Sequence, residues 1–254
     1  SQVVYEDTLS KGYATANIVM GILGKTGNTP FVLGDPIDYA DVVVGLDVSR
    51  RLKTRAAGTT SIAAMSRIYL NTGEFIGYSF SSAPIEGETI PTHVLETIFP
   101  ESEFGGKRVI IHRDGNFRGD ELKNLTDWGA SIGAIFLPME VTKSGAARMY
   151  GAVDESIYQA EKGSAFVIDE RTAYLVSSPP PFDNATAMPL TIKNFSGLTL
   201  QQALHSVLAL TLLHYGSVRP PKLPVSTHFS DEIAGLLTRG IYPLQERGKK
   251  PYWL

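Results

Sequence analysis

Two aspartates, Asp47 and Asp114, each stand at the carboxyl end of a run of apolar and β-branched residues. Such runs are typical of strands that are covered on both faces, and aspartate is uncommon in strands. For either residue alone, a strand-end aspartate that caps a turn is the better explanation, and Asp-Gly is a common turn pair. As a pair, the two aspartates indicate a shared site, because their carboxylates converge if the strands are neighbours. Converging carboxylates favour bound divalent cations.

Two further acids have candidate roles in the same chemistry. Asp231 opens the last predicted helix, where an acid ordinarily caps the helix or interacts with its dipole. Glu88 lies in a loop after the third predicted strand, where a solvated glutamate is the ordinary expectation. Spacing alone does not favour a catalytic role for either residue.

The elements that would position these acids follow in the order β-β-β-α-β-α-β. Apolar patterns predict strands at 41–48, 61–70, 75–80, 108–114 and 131–137, and helices near 92–98 and 119–128. Short connections make the first three strands antiparallel, and right-handed crossovers place the helices against the sheet. The sequence therefore predicts an α/β fold with a mixed five-stranded sheet flanked by helices.

Both ends of the chain add further elements. A helix is predicted over 8–23 and a short strand over 31–33, and we expect a domain boundary near 34–36 because these two elements cannot bury a core alone. The second half holds short strand candidates at 164–168, 173–176 and 188–192 and helices at 199–214 and 231–239.

Composition bounds the class of protein. The chain has 254 residues, of which 43% are hydrophobic and 19% charged, and this is enough apolar material for a sizeable core. The absence of cysteine excludes a disulfide scaffold, a thiolate zinc site and a cysteine nucleophile. No apolar run approaches the ~18 residues of a membrane span and no secretory signal opens the sequence, so we expect a cytoplasmic protein with no membrane partner. The net charge of −3 argues mildly against nucleic-acid binding.

Four short motifs, in this order and spacing, resemble the RNase H-like fold and more specifically the PIWI domain of Argonaute proteins of the prokaryotic branch. They are Gly-Leu-Asp-Val-Ser-Arg at 45–50, Arg-Asp-Gly at 113–115, Lys-Ser-Gly-Ala-Ala-Arg at 143–148 and Leu-Pro-Val-Ser-Thr-His-Phe-Ser-Asp at 223–231. The resemblance implies that residues 1–35 are the C-terminal part of a MID domain and that residues 36–254 form the PIWI domain. We therefore expect the C-terminal piece of a longer protein, and the lack of an initiator methionine fits that expectation.

The resemblance also implies a catalytic tetrad with two metal ions. Asp47, Asp114 and Asp231 match the family's aspartates, and Glu88 best matches a glutamate on a mobile loop, with Glu86 as the alternative. The three aspartates would hold two Mg²⁺ or Mn²⁺ ions, which prefer hard oxygen donors. Two such ions activate water and stabilise the leaving oxygen in phosphodiester hydrolysis. The implied activity is endonuclease cleavage of a target strand directed by a guide strand, as in gene silencing or host defence.

The implied partners are a guide nucleic acid and its complementary target strand, and DNA and RNA both stay open for each. Gln2, Lys25 and Leu254 match positions of the pocket that binds the guide 5′-phosphate. Lys143 and Arg148 match positions that contact the nucleic-acid backbone, although a solvated surface is the ordinary role of such cations. The other implied partners are the remaining Argonaute domains, namely N, PAZ and the rest of MID.

Three alternatives stay open at this point. One is a PIWI-type module that holds guide and target without cleavage, and another is an RNase H-like nuclease that cuts without a guide. An actin-like ATPase shares the fold and begins with a strand-end aspartate, but it usually needs glycine-rich phosphate loops, and the sequence has no convincing pair. The intact set of three aspartates favours the guide-directed endonuclease.

Overall fold

The computed structural model describes residues 4–12, 14–52, 59–81, 83, 90–180, 185–215, 221–251 and 253, and within these ranges the side chains of residues 9, 49–52, 59–64, 231 and 238 are not described. The strands are β1 (Val42–Leu52), β2 (Thr59–Leu70), β3 (Phe75–Ser81), β4 (Arg108–Asp114), β5 (Ile135–Thr142), β6 (Tyr150–Val153), β7 (Ser156–Gln159), β8 (Ala165–Val167), β9 (Thr172–Leu175), β10 (Leu190–Asn194) and β11 (Arg247–Gly248). The helices are α1 (Glu6–Leu9), α2 (Ala14–Thr26), α3 (Thr92–Ile98), α4 (Glu101–Phe104), α5 (Glu121–Ser131), α6 (Leu200–Leu210), α7 (Val225–His228) and α8 (Ser230–Thr238). No described helix is long and apolar enough to cross a membrane.

Nine of the described strands form one mixed sheet in the order β11-β3-β2-β1-β4-β5-β10-β9-β8. Strand β1 is antiparallel to β2 and parallel to β4, and β4 is parallel to β5. The predicted five-stranded α/β sheet is therefore confirmed as the central part of a wider one. Strand β11 extends it at one edge, and β10, β9 and β8 extend it at the other. Strands β6 and β7 form a separate two-stranded ribbon.

The two faces of the central sheet are covered by different helices, because successive strand residues point to opposite faces. On the first, which we call the α5 face, Val44 and Leu46 pack with residues of α3 and α5. On the second, which we call the α6 face, Val43 and Ile110 pack with residues of α6 and α7. The same alternation places Asp47, four residues after Val43, and Asp114, four residues after Ile110, on the α6 face.

Several predicted boundaries at the ends of elements are wrong. The helix predicted over 8–23 is two helices, and α2 continues to Thr26, where Gly27 follows with a φ of 85°. The segment 31–33 forms no strand. Helix α5 continues to Ser131, and Gly133, at a φ of 68°, redirects the chain so that β5 begins at Ile135 instead of 131. The remaining predicted strands and helices are present with small shifts at their ends.

Candidate active site

The two aspartates that the sequence singles out lie side by side at the carboxyl ends of β1 and β4. The parallel pairing of these strands ends with Leu46 opposite Arg113, so Asp47 and Asp114 come next in register. Both side chains belong to the same face of the sheet. The strands are neighbours, as predicted, and the two carboxylates share one edge of the fold.

Burial gives Asp47 unusual electrostatics. Its side chain is 8% exposed, and burial raises its pKa from 3.8 to about 6. The guanidinium groups of Arg67 and Arg113 oppose this shift in pKa, whereas the neighbouring carboxylate of Asp114 adds to it. The N–H of Val48 also favours the ionised form by donating to the Asp47 carboxylate. Two carboxylates that repel one another at a buried edge make a position that a cation stabilises.

This donor set fits a hard divalent cation. Carboxylate oxygens are the ligands that Mg²⁺ and Mn²⁺ prefer. Within the ranges that the structure describes, no group of three or more acidic, histidine or cysteine side chains comes together. Of the four residues predicted to be catalytic, the structure describes the side chains of Asp47 and Asp114 only, and the catalytic role of both stays a prediction.

Those other groups can be located only in part. Asp231 lies in the first turn of α8, but its side chain is not described. Glu88 and its alternative Glu86 lie outside the described residues, in the segment 84–89. The assignment of both to the tetrad stays a prediction.

A buried ion pair holds the end of β4 from the α5 face. Nε of Arg113 lies 2.5 Å from Oε1 of Glu121, and both side chains are buried. Arg113 also donates to the carbonyl oxygen of Asp114, and Oε2 of Glu121 accepts the N–H of Arg118 at 3.2 Å. The pair therefore fixes the backbone that carries Asp114. Removing either partner would be costly, because the other charge would stay buried and unpaired.

Glu140 secures the loop that follows Asp114. Its Oε1 accepts the N–H of Phe117 at 2.7 Å, and burial raises the pKa of this carboxyl. Glu121 and Glu140 are not among the residues that the sequence motifs predict for the site. The available signal for Glu140 is its place in the apolar run of β5, where an acid is uncommon.

Helices α7 and α8 pack on β1 from the α6 face. Gly45 permits this close approach, because a Cβ there would lie 1.7 Å from the carbonyl oxygen of Ser226. Arg67, fully buried on β2, donates from Nε to the Ser226 carbonyl at 2.6 Å and from Nη2 to Oγ of Ser230 at 2.8 Å. The first turn of α8, which includes Asp231, is thereby held against the face that carries Asp47.

The predicted nucleic-acid contacts Lys143 and Arg148 lie in the loop after β5, and both are exposed. Since β5 pairs in parallel with β4, with Val141 opposite Asp114, this loop leaves the sheet at the same edge as the two aspartates. Nη1 of Arg148 donates to Oγ1 of Thr186 at 3.0 Å, which orients that side chain. The structure therefore places cationic side chains at the edge where the carboxylates lie.

Of the predicted ligands of a guide 5′-phosphate, Lys25 alone is described, and Gln2 and Leu254 lie outside the described residues. Lys25 is half-buried in the last turn of α2. A small cavity separates this turn from the C-terminal segment. Residues that line it include Gly24, Gly27, Asn28, Lys249, Pro251 and Trp253. The indole of Trp253 packs edge-on against two aromatic rings of β3, which anchors this side chain at the sheet.

Comparison with known proteins gives a consistent family assignment. No family model matches the chain. The Argonaute protein of Aquifex aeolicus is 30% identical over 262 residues, and the match covers 100% of this chain and 36% of that protein. The Argonaute protein of Thermus thermophilus is 27% identical, and the match covers 91% of this chain and 33% of that protein. The chain thus spans about a third of the length of the curated relatives it matches.

Solved structures agree. A structure of Aquifex aeolicus Argonaute has a TM-score of 0.82 at 28% identity and covers 100% of this chain and 37% of that chain. Clostridium butyricum Argonaute bound to a guide DNA and a 19-mer target DNA has a TM-score of 0.83 at 25% identity, covering 100% and 34%. The chain therefore belongs to the Argonaute family, corresponds to the C-terminal part of its prokaryotic members, and carries the RNase H-like fold of the PIWI domain.

Proposed function

We propose that this chain is the catalytic part of a guide-directed endonuclease that hydrolyses a phosphodiester bond of a target strand. The observation that carries the proposal is the convergence of Asp47 and Asp114 at the ends of two parallel, adjacent strands. The raised pKa of Asp47 supports it, because burial, with a smaller contribution from the charge of Asp114, disfavours the ionised carboxylate and a bound cation would compensate that charge.

Asp47, Asp114 and Asp231 would hold two Mg²⁺ or Mn²⁺ ions, with Glu88 completing the tetrad. When bound, such ions supply an activated water and stabilisation of the leaving 3′-oxygen, which gives 5′-phosphate and 3′-hydroxyl products. Asp47 contributes a buried carboxylate at the end of β1, and the ion pair of Arg113 and Glu121 holds the backbone of Asp114. Ligands that the fold already holds in position need little rearrangement when the target strand arrives.

The division of the chain is part of the proposal. Residues 1–35 would be the end of a MID domain, and residues 36–254 the PIWI domain. Helix α2 supports this division, because its apolar side chains Val19, Ile22 and Leu23 are 49%, 42% and 36% exposed. A helix that exposes such an apolar stripe fits one that packs against further residues of its own domain. The N and PAZ domains and the rest of MID would then belong to the complete protein, which we place in the cytoplasm.

The proposed partners are a guide strand and its complementary target. Gln2, Lys25 and Leu254 would bind the guide 5′-phosphate, and Lys143 and Arg148 would contact the backbone of the duplex. The relative from Clostridium butyricum, which was solved with a guide DNA and a target DNA, supports duplex binding. Base pairing would supply the sequence specificity, and the protein would bind backbone and shape.

The test is a cleavage assay on the complete protein that carries this chain, loaded with a guide and given a labelled target and Mn²⁺. We expect a single cut in a complementary target, no cut in a non-complementary one, and no cut when the metal is chelated. Equal cutting of both targets would instead favour a nuclease that acts without a guide. Guide and target binding without any cut, in Mg²⁺ or Mn²⁺, would reduce the function to binding.

A further inference from the structure

A row of buried polar side chains crosses the α6 face beside the two aspartates, and nothing in the proposed chemistry uses it. Arg67 on β2 and His112 on β4 flank Gly45 of β1 in the register of the sheet. Above them lie Ser226 of α7 and Ser206 of α6. All four of these polar side chains are fully buried at 0% exposure. Gly45 and His112 each stand two residues before an aspartate, Asp47 on β1 and Asp114 on β4, so they share the α6 face with them.

The hydrogen bonds of this row converge on α7. Oγ of Ser206 donates to the carbonyl of Ala203 at 2.8 Å, so it accepts from Nε2 of His112 at 3.0 Å. Nδ1 of His112 is then the acceptor for the hydroxyl of Ser226 at 2.8 Å. His112 thus accepts a hydrogen bond from the side chain of Ser226, while Arg67 donates one to the carbonyl oxygen of the same residue.

Arg67 also forms a hydrogen bond to α8. Its Nη2 donates to Oγ of Ser230, the first residue of α8 and the one before Asp231. Nη1 has no hydrogen-bond partner among the residues that the structure describes. The charge of this guanidinium acts on Asp47, but its described hydrogen bonds all go to neutral acceptors on α7 and α8. This hydrogen-bond geometry indicates a role in placing those two helices.

We propose that Arg67, His112 and Gly45 form a clamp that sets the height and lateral position of α7 and α8 over the sheet, so that Asp231 meets Asp47 and Asp114 in one metal site. Gly45 sets the height, because any side chain there would collide with Ser226. Arg67 and His112 set the lateral position from the two sides. The inference rests on the proposed function, since it takes Asp231 as a metal ligand. The clamp residues are positioning residues and touch no substrate.

The most selective test removes one arm of the clamp. Ser230→Ala deletes the hydroxyl that Arg67 binds, and Ser230→Thr restores a hydroxyl at that position. Ser66→Ala is the matched control, because Ser66 is a fully buried serine of β2 on the α5 face whose Oγ donates to the carbonyl of Ile98 at 2.7 Å. Both alanine variants lose one buried serine hydrogen bond, and only one of them belongs to the clamp.

The measurement is Mn²⁺ binding to the complete protein loaded with guide and target. Binding is monitored by the loss of the free-ion signal in electron paramagnetic resonance, and Asp114→Ala gives the background. We expect Ser230→Ala to weaken Mn²⁺ binding about tenfold, in line with other changes to groups that support metal ligands. Target affinity should stay unchanged, and the loss in melting temperature should match that of Ser66→Ala. Ser230→Thr should recover most of the Mn²⁺ affinity.

Two outcomes would overturn the clamp. If Ser230→Ala and Ser66→Ala bind Mn²⁺ as tightly as the unaltered protein while both melt at a lower temperature, the network is structural only. The proposed function would survive that result, because the unaltered protein would still bind the metal at Asp114. If the unaltered protein binds no more Mn²⁺ than Asp114→Ala, the metal site itself is wrong and the clamp falls with it.

Discussion

Asp47 is a buried carboxylate whose neighbouring cations direct their hydrogen bonds elsewhere. Arg113 is paired with Glu121 on the opposite face, and Arg67 bonds to Ser226 and Ser230. Their charges reduce the effect of burial on the pKa of Asp47 but do not cancel it. The ionised form of Asp47 is therefore unfavourable in the metal-free fold, which is the condition expected of a ligand whose charge a bound cation compensates.

Asp47→Asn should stabilise the metal-free protein in a pH-dependent way. The folded-state pKa of about 6 lies above the ordinary 3.8, so the contribution of neutral Asp47 to stability is present below pH 4 and is lost as pH rises through 6. Asparagine keeps the acceptor for the Val48 N–H without a charge. In thermal melts with chelator, the gain should be near zero at pH 4 and reach up to ~3 kcal/mol above pH 6.

The control for this prediction is Asp154→Asn, which changes an exposed carboxylate in the turn between β6 and β7. It should leave the melting temperature unchanged at both pH values. A gain for Asp47→Asn that is equal at pH 4 and pH 7, or absent at both, would contradict the account of Asp47.

At the scale of elements, the contact between β1 and α7 fixes the position of α7 beside the candidate active site. Gly45 lies at the point where α7 comes nearest to the sheet. Helix α7 is only four residues long, so its position depends on this contact and on the bonds from Arg67 and His112 more than on its own helical hydrogen bonds.

Gly45→Ala should therefore damage the fold or the site, because its Cβ would lie 1.7 Å from the Ser226 carbonyl oxygen and α7 would have to move outward. We expect a loss of ~1–3 kcal/mol or more in the free energy of unfolding, together with weaker metal binding. Gly34→Ala is the control, because a Cβ there meets nothing within 4 Å and should be neutral in both measurements. Denaturation curves of the three proteins decide the matter, and equal stability of the two variants would rule out the close contact.

The central strands were predictable because their apolar runs are long and buried on both faces, as in Val42, Val43 and Val44. The ribbon of β6 and β7 was missed because every residue of β7 is exposed, so no buried face leaves a periodic signal. The start of β5 was misplaced because Ser131 and Ile132 fit a strand pattern as well as a helix end.

For the site, the strand-end positions of Asp47 and Asp114 predicted their convergence once the two strands were taken as neighbours. The clamp was not predictable in the same way. Arg67 and Ser226 are separated by 159 residues, and nothing local marks a buried arginine in β2. Contacts of this kind depend on how distant elements pack, which a single sequence does not specify.

For the whole molecule, the net charge of −3 does not describe the candidate site, because charge is distributed unevenly. Asp47 and Asp114 lie at the candidate metal site, whereas Lys143 and Arg148 lie in the loop that follows β5 at the same edge of the sheet. Lys222 adds a third cation there, since its Nζ donates to the carbonyl oxygen of Lys143 at 3.0 Å. Such an edge suits a polyanion that approaches the candidate metal site.

Arg148→Ala should weaken binding of the guide–target duplex and lower its salt dependence. Loss of one phosphate contact reduces the slope of log affinity against log salt by about one. Lys123→Ala is the matched control, because Lys123 is an exposed cation on α5, on the other face of the sheet. Binding titrations across a salt series should show a shallower slope for the first variant only, and identical slopes would remove Arg148 from the interface.

The central claim is that Asp47 and Asp114 form a metal site for target cleavage, and Asp114→Ala tests it most directly. In single-turnover assays on the complete protein with guide, complementary target and Mn²⁺, we expect no detectable cleavage by this variant. Guide and target affinities, measured on the same samples, should stay within about twofold of the unaltered protein, since Asp114 holds the metal and not the strands. An Asp114→Ala protein that binds both strands and still cuts at an appreciable rate would contradict the account.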